Sequence, residues 1–113
     1  MHEIGIMQNL INTAVERAKQ EGAQHINMVY IRLGDASGVV PESLEFAFEL
    51  AKRGTIAENA HLQICYLTTL CYCLHCGLEF NPIDQRCECP HCHQISTEIR
   101  QGKECKLDFL DVS

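Results

Sequence analysis

Two pairs of cysteines are the residues of this sequence whose types and spacing are best suited to hold a metal ion. Each pair has the spacing C-x-x-C, and twelve residues separate the two pairs. Such a turn directs both sulfur atoms to one side, so two turns that face each other form a tetrahedral four-sulfur site. We predict that Cys73, Cys76, Cys89 and Cys92 form a closed structural site, in which no position is left open for catalysis.

Zinc is the metal that a tetrahedral thiolate site favours, and iron is its competitor. The same spacing occurs in rubredoxin-like iron sites, but those sites surround iron with aromatic residues, and this segment offers only Tyr72 and Phe80. Two disulfides are the alternative to a metal, and disulfides are rare in chains that are not exported. We expect zinc to supply folding free energy, since structural zinc contributes ~10–16 kcal/mol in small modules.

The residues next to the two pairs repeat a longer pattern, C-x-C-x-x-C, because Cys71 and Cys87 each lie two positions before a pair. These two cysteines could be alternative ligands, a redox pair or spare thiols, and we expect them to be partly buried residues without a role in metal binding. Gly77 follows the first pair and permits the positive φ that lets backbone N–H groups donate to thiolates. His93 occupies the same place after the second pair, and histidine tolerates this conformation better than most residues.

The first residues of the chain offer a second group of metal ligands. The α-amine of Met1 and the amide nitrogen of His2 close a five-membered chelate ring, and the His2 imidazole adds a six-membered ring. Planar coordination by nitrogen suits Ni(II) or Cu(II). Glu3 also has a structural explanation, because an acidic residue is favourable at a helix N-terminus.

Hydrophobic periodicity indicates the elements that would position these residues. The predicted elements are helices over residues 4–20 and 41–53 and strands over residues 26–33, 61–67 and 105–110. On the last two strands, Cys65 and Cys105 are expected to be small core residues. The strand over 61–67 alternates as a half-buried strand should, with Leu62, Ile64 and Tyr66 on one face.

These elements predict an α+β fold, in which two helices pack on a small mixed three-stranded sheet with an inserted zinc-ribbon-like module. The composition changes between residues 70 and 102, where cysteines replace the periodic apolar residues. We therefore predict a zinc-binding domain over 70–102 and a second domain, which carries the N-terminal ligands, over 1–69 plus 103–113.

The composition argues against several classes of function. The net charge is −6 and no dense cluster of Lys and Arg occurs, which disfavours nucleic-acid binding. No stretch is apolar enough to span a membrane, and the N-terminus has no signal-peptide pattern. No nucleotide-binding loop or catalytic triad stands out, so no catalytic residue is predicted. We expect a cytoplasmic protein that is not an enzyme.

At four places the sequence resembles the HypA/HybF family of hydrogenase nickel-incorporation proteins. These places are Met1-His2-Glu3-Ile4, the turn at Gly34, the helix end Phe46–Gly54 followed by Ala57-Glu58, and the module of Cys73, Cys76, Cys89 and Cys92. The resemblance covers essentially the whole chain. It implies a nickel-binding α/β domain with a zinc ribbon inserted before the last strand.

The resemblance also implies a function and a nickel site. A member of this family would deliver Ni(II) to the large subunit of [NiFe]-hydrogenase alongside a GTPase partner, HypB, and homodimer formation is left open. The nickel ligands would be the amine of Met1, the side chain of His2 and the backbone nitrogens of His2 and Glu3. The zinc ligands would be the four cysteines named above. His93 departs from the family pattern, which often has glycine after the last cysteine.

Two other functions are compatible with the cysteines alone. A zinc-ribbon adaptor would bind proteins or nucleic acid, and a rubredoxin-like protein would carry electrons on iron. Neither of them gives the Met1-His2-Glu3 segment a role.

Overall fold

The structure is a computed structural model, and it describes residues 3–83 and 86–113. The described elements are α1 (Glu3–Gln20), β1 (Ile26–Gly34), α2 (Pro41–Ala51), β2 (His61–Leu67), β3 (Leu70–Cys73), β4 (Leu78–Phe80), β5 (Glu98–Gln101) and β6 (Cys105–Val112). The predicted fold class is confirmed, because two helices accompany small mixed sheets and a four-cysteine module. Within the described residues, neither helix is long and apolar enough to cross a membrane.

Helix α1 forms because its apolar residues recur at helical spacing and one face can be buried. The buried residues of this face are Met7, Ile11, Ala14 and Ala18. The helix ends where Gly22 takes a φ of 74°, which costs glycine little. The amide of Ala23 then donates to the carbonyl of Ala18 at 2.9 Å, which satisfies a backbone acceptor at the helix end.

Helix α2 begins at Pro41, where the missing N–H of proline costs no hydrogen bond. It packs against α1 and buries Leu44, Ala47 and Phe48. Lys52 follows the helix, and its backbone N–H donates to the carbonyl of Phe48. The two helices therefore share the apolar core that the periodicity predicts.

Strand β1 is the central strand of a three-stranded sheet with the order β2-β1-β6. His25 and Ser113 exchange backbone hydrogen bonds of 3.0 and 2.9 Å, so β1 and β6 run antiparallel. Asp35, directly after β1, donates to the carbonyl of Leu67 at the end of β2, so β1 and β2 run parallel. A mixed sheet results, with Val29 and Ile31 of its central strand fully buried.

The chain divides into two compact units. The first comprises the chain up to Arg32, Val39–Cys65 and Lys106–Ser113, and the second comprises Leu33–Gly38 and Tyr66–Cys105. Within the second unit, β3 lies between β4 and β5 and pairs antiparallel with both.

Hydrogen bonds connect the Leu33–Gly38 segment to the rest of the second unit. The hydroxyl of Thr69 donates to the carboxylate of Asp35. The amide of Ala36 donates to the carbonyl of Gly102 at 2.7 Å, and the amide of Gly34 donates to that of Glu104 at 2.7 Å. These bonds bring the backbones of Gly34 and Gly102 into close approach.

Two expectations about β2 are wrong and one about β6 holds in part. Cys65 is exposed rather than a core residue, because side chains alternate along a strand and Ile64 takes the buried side. Tyr66 was expected to share the half-buried face of Ile64, but it is 61% exposed. Cys105 is partly buried, and this burial raises the pKa of its thiol.

The close approach of Gly34 and Gly102 predicts an effect of substitution. A Cβ atom at position 34 would overlap the backbone carbonyl of Gly102, which is not a flexible side-chain end. We expect Gly34→Ala to lower the free energy of unfolding by about 3 kcal/mol, the upper end for overpacking. Gly5→Ala is the control, since its Cβ would meet nothing within 4 Å and α1 should gain up to ~1 kcal/mol. Urea unfolding checks both values, and equal stability of the two variants would contradict this packing.

Candidate metal centre

The first cysteine pair lies in the turn between β3 and β4. Cys73 ends β3 and is in register with Leu78, the first residue of β4. Gly77 has a φ of 68°, as the sequence predicts, and its N–H donates to the carbonyl of Cys73 at 2.7 Å. The N–H of Cys76 points to the sulfur of Cys73 at 3.3 Å. This turn therefore brings both sulfur atoms to one side and supplies a backbone donor to one of them.

The second pair is held by a turn of the same kind. The N–H of Cys89 donates to the carbonyl of Gln94, and the N–H of His93 donates to that of Cys89, both at 2.9 Å. His93 has a φ of 63°, so histidine adopts here the left-handed conformation that Gly77 adopts in the first turn. An isolated bridge between Glu88 and Ile95 closes the base of the turn.

The two turns bring the four predicted cysteines together. Their sulfur atoms all lie within 4.8 Å of one another. The Sγ atoms of Cys73 and Cys92 are 3.6 Å apart, and those of Cys76 and Cys89 are 3.9 Å apart. A tetrahedral zinc site with Zn–S bonds of about 2.3 Å has sulfur atoms about 3.8 Å apart. The described geometry thus fits a four-thiolate metal, with Cys73 and Cys89 buried and the other two partly buried.

The four thiols differ in acidity. Backbone N–H groups, that of Cys92 first and that of His91 next, lower the pKa of the Cys89 thiol to about 6. Removal from water, together with the hydrogen bonds among the four sulfurs, raises the pKa of the Cys76 thiol to about 12. A metal ion can therefore bind the sulfur of Cys89 as a thiolate, whereas it must displace the proton of Cys76.

Cys71 and Cys87, for which the sequence left three explanations open, are joined in a disulfide. Both are buried, and both belong to the same packed cluster as the four thiols. A redox pair was one of the three explanations, but the sequence did not favour it, and both cysteines were expected to be only partly buried. The repeated C-x-C-x-x-C pattern was the signal that could have indicated this pairing.

Sulfur dominates the interior of the second unit. Six of the nine side chains in its core cluster are cysteines, and the others are Leu78, Phe80 and Ile99. Tyr72 is not in this cluster, and the guanidinium of Arg100 covers its ring at 3.6 Å. Phe80 is therefore the one aromatic residue that the described part of the chain contributes to this core.

Of the three residues predicted to bind nickel, the structure describes only Glu3. Met1 and His2 lie outside the described residues, so the predicted chelate stays a prediction. Glu3 is the first residue of α1 and is partly buried, in the position where an acidic side chain interacts favourably with the helix dipole.

Comparison with known proteins identifies the family. The family model described as "Hydrogenase/urease nickel incorporation, metallochaperone, hypA" matches residues 1–112. The chain belongs to the HypA family. This is the family of nickel metallochaperones that act in hydrogenase maturation.

Individual HypA proteins match over almost their full length. A hydrogenase maturation factor HypA from Picosynechococcus sp. is 43% identical over 112 residues, which are 99% of each chain. One from Chloroflexus aggregans is 36% identical over 98% of each chain. The solution structure of the Ni metallochaperone HypA from Helicobacter pylori has a TM-score of 0.75 at 28% identity, covering 99% of this chain and 97% of that one.

The four-sulfur geometry predicts how zinc affinity responds to substitution. We expect Cys76→Ser to weaken zinc binding at least 100-fold, since a thiolate is lost from a four-ligand set. Cys65→Ser is the matched control, because Cys65 is an exposed free thiol of the first unit. Competition with a chromophoric chelator measures both affinities, and equal affinities of the two variants would exclude Cys76 as a ligand.

Proposed function

We propose that this HypA protein binds Ni(II) at its N-terminus and delivers it to the large subunit of [NiFe]-hydrogenase during maturation. The observation that carries this proposal is the family match over residues 1–112, which includes the Met1-His2-Glu3 segment. A similar protein, from Helicobacter pylori, is named as a Ni metallochaperone. Nickel is here the cargo of the protein.

The chemistry of the first three residues supports Ni(II) as this cargo. The amine of Met1, the amide nitrogen and imidazole of His2, and the backbone nitrogen of Glu3 make a planar set of nitrogen ligands, which suits Ni(II). A helix N-terminus disfavours a cation because its dipole is positive. The carboxylate of Glu3, in the first turn of α1, offsets part of this repulsion.

We also propose that Cys73, Cys76, Cys89 and Cys92 hold a structural zinc ion. The sulfur separations of 3.6 and 3.9 Å are close to those of a tetrahedral thiolate site. Four protein ligands leave no site for substrate, so this zinc stabilises the second unit and does not catalyse a reaction. Iron is disfavoured, since the core cluster of that unit contains Phe80 as its aromatic residue and lacks Tyr72.

The remaining parts of the proposal are supported by a carrier role together with the resemblance to the HypA/HybF family. The protein acts in the cytoplasm and is not an enzyme. It receives or passes on nickel together with the GTPase HypB, and it contacts the hydrogenase large subunit at delivery. Nucleic acid is not among its partners, since the net charge of −6 would repel phosphate.

Two changes at the N-terminus test the nickel site. We expect His2→Ala, and separately the addition of one residue before Met1, to remove most Ni(II) affinity while zinc stays bound. The first change removes the imidazole, and the second moves the α-amine out of the chelate ring. His61→Ala is the matched control, because His61 is exposed at the start of β2. Calorimetric titration with Ni(II) measures the affinities, and full nickel binding by both altered proteins would disprove this site.

A further inference from the structure

Three pairs of cysteines, rather than two, meet in the second unit. Cys71 and Cys73 lie on the same buried side of β3, since β3 alternates between partly buried and buried residues. Cys87 and Cys89 repeat this spacing on the second segment, and both are buried. All of these residues pack in one cluster with Cys76 and Cys92.

Exposure separates one pair from the other two pairs, which are equally buried. Cys76 and Cys92 are partly exposed. Cys73 and Cys89 are buried, and each of them lies between a cysteine two positions before it and a cysteine three positions after it. The Cys71–Cys87 disulfide is the third pair, and its sulfur atoms are withheld from metal binding as long as the bond exists.

We propose that reduction of the Cys71–Cys87 disulfide converts the four-sulfur centre into a six-thiolate site for two ions of the zinc class. The outer ion would bind Cys73, Cys76, Cys89 and Cys92, and the second ion would bind Cys71, Cys73, Cys87 and Cys89. Cys73 and Cys89 would bridge the two ions. This proposal rests on the zinc centre proposed above.

The chemistry balances with a small dithiol as the reductant. The dithiol gives two electrons and two protons, closes its own disulfide, and leaves Cys71 and Cys87 as thiols. Zinc then displaces these two protons, since thiolates are the metal ligands. Four thiolates with one dication carry a charge of −2, and six thiolates with two dications carry the same charge. The interior therefore gains no net charge when the second ion binds.

The burial of the Cys71–Cys87 disulfide explains why its oxidised and reduced states would not interconvert while the unit stays closed. Cys71 is fully buried and Cys87 is 4% exposed, so a reductant reaches the disulfide only when the unit opens. Metal removal favours such opening, because the metal would hold the two turns together. Exchange between the states should therefore require loss of the outer ion and reloading under reducing conditions.

The experiment compares metal content in the two redox states of the full chain. The protein is stripped of metal without oxygen, and one sample is treated with a dithiol, which is then removed, while the other keeps its disulfide. Both samples are titrated with Cd(II), whose ¹¹³Cd NMR shift identifies thiolate ligands. We expect one thiolate-bound cadmium in the oxidised protein and two in the reduced protein. The double variant Cys71→Ser/Cys87→Ser should bind one in either condition, and Cys65→Ser should behave as the parent does.

The outcomes separate this proposal from the one on which it rests. A single thiolate-bound ion in both redox states of the parent overturns the six-thiolate site and leaves the four-cysteine centre intact. A second thiolate-bound ion in the double variant overturns it as well. Absence of any thiolate-bound ion in the oxidised protein contradicts the four-cysteine centre itself. The comparison of redox states uses the unaltered chain, so it stays decisive if the double variant does not fold.

Discussion

The second unit depends on one constraint, which is that the sulfur atoms of its two C-x-x-C pairs lie close enough together to bind one metal ion. Among the described residues, its core cluster contains six cysteines and three further apolar side chains, which are Leu78, Phe80 and Ile99. A core cluster this small buries little apolar surface, and so short a unit needs a further source of stability to offset the conformational entropy of ordering it. Four thiols that are less than 4.8 Å apart can supply the missing free energy when they bind one metal ion.

The backbone of both cysteine turns is arranged to hold this centre. In both turns a residue with positive φ, Gly77 or His93, donates its N–H back to the first cysteine of the pair. Further N–H groups point at sulfur and favour the thiolate at Cys89, whereas Cys76 keeps its proton. This turn geometry, with four sulfur atoms less than 4.8 Å apart, suits a site that binds its metal tightly.

Much of this arrangement could be predicted from the sequence, because periodicity and spacing are local signals. Helical spacing in α1, alternation in β6 and the C-x-x-C pairs each need only a few neighbouring residues to be recognised. The attachment of Leu33–Gly38 to the second unit needed long-range information. It depends on hydrogen bonds from Ala36 to Gly102 and from Thr69 to Asp35, and no local pattern encodes them.

The environment of the cysteines outside the two pairs also depends on long-range contacts that local sequence patterns do not encode. Alternation along β2 correctly indicated that Ile64 lies on the buried face, but the burial of its neighbours depends on tertiary packing, and Cys65 is exposed. The pairing of Cys71 with Cys87 also joins residues 16 positions apart, and spacing alone does not determine disulfide connectivity.

The dependence of the second unit on its metal can be measured most directly by ¹H–¹⁵N NMR of the full chain before and after zinc is removed with a chelator. If four-sulfur coordination stabilises the unit, amide signals from β3, β4 and β5 collapse to the narrow range of an unfolded chain, while those of α1 and α2 keep their positions. If the signals of β3, β4 and β5 stay dispersed and unshifted without zinc, the metal is not what holds this unit together.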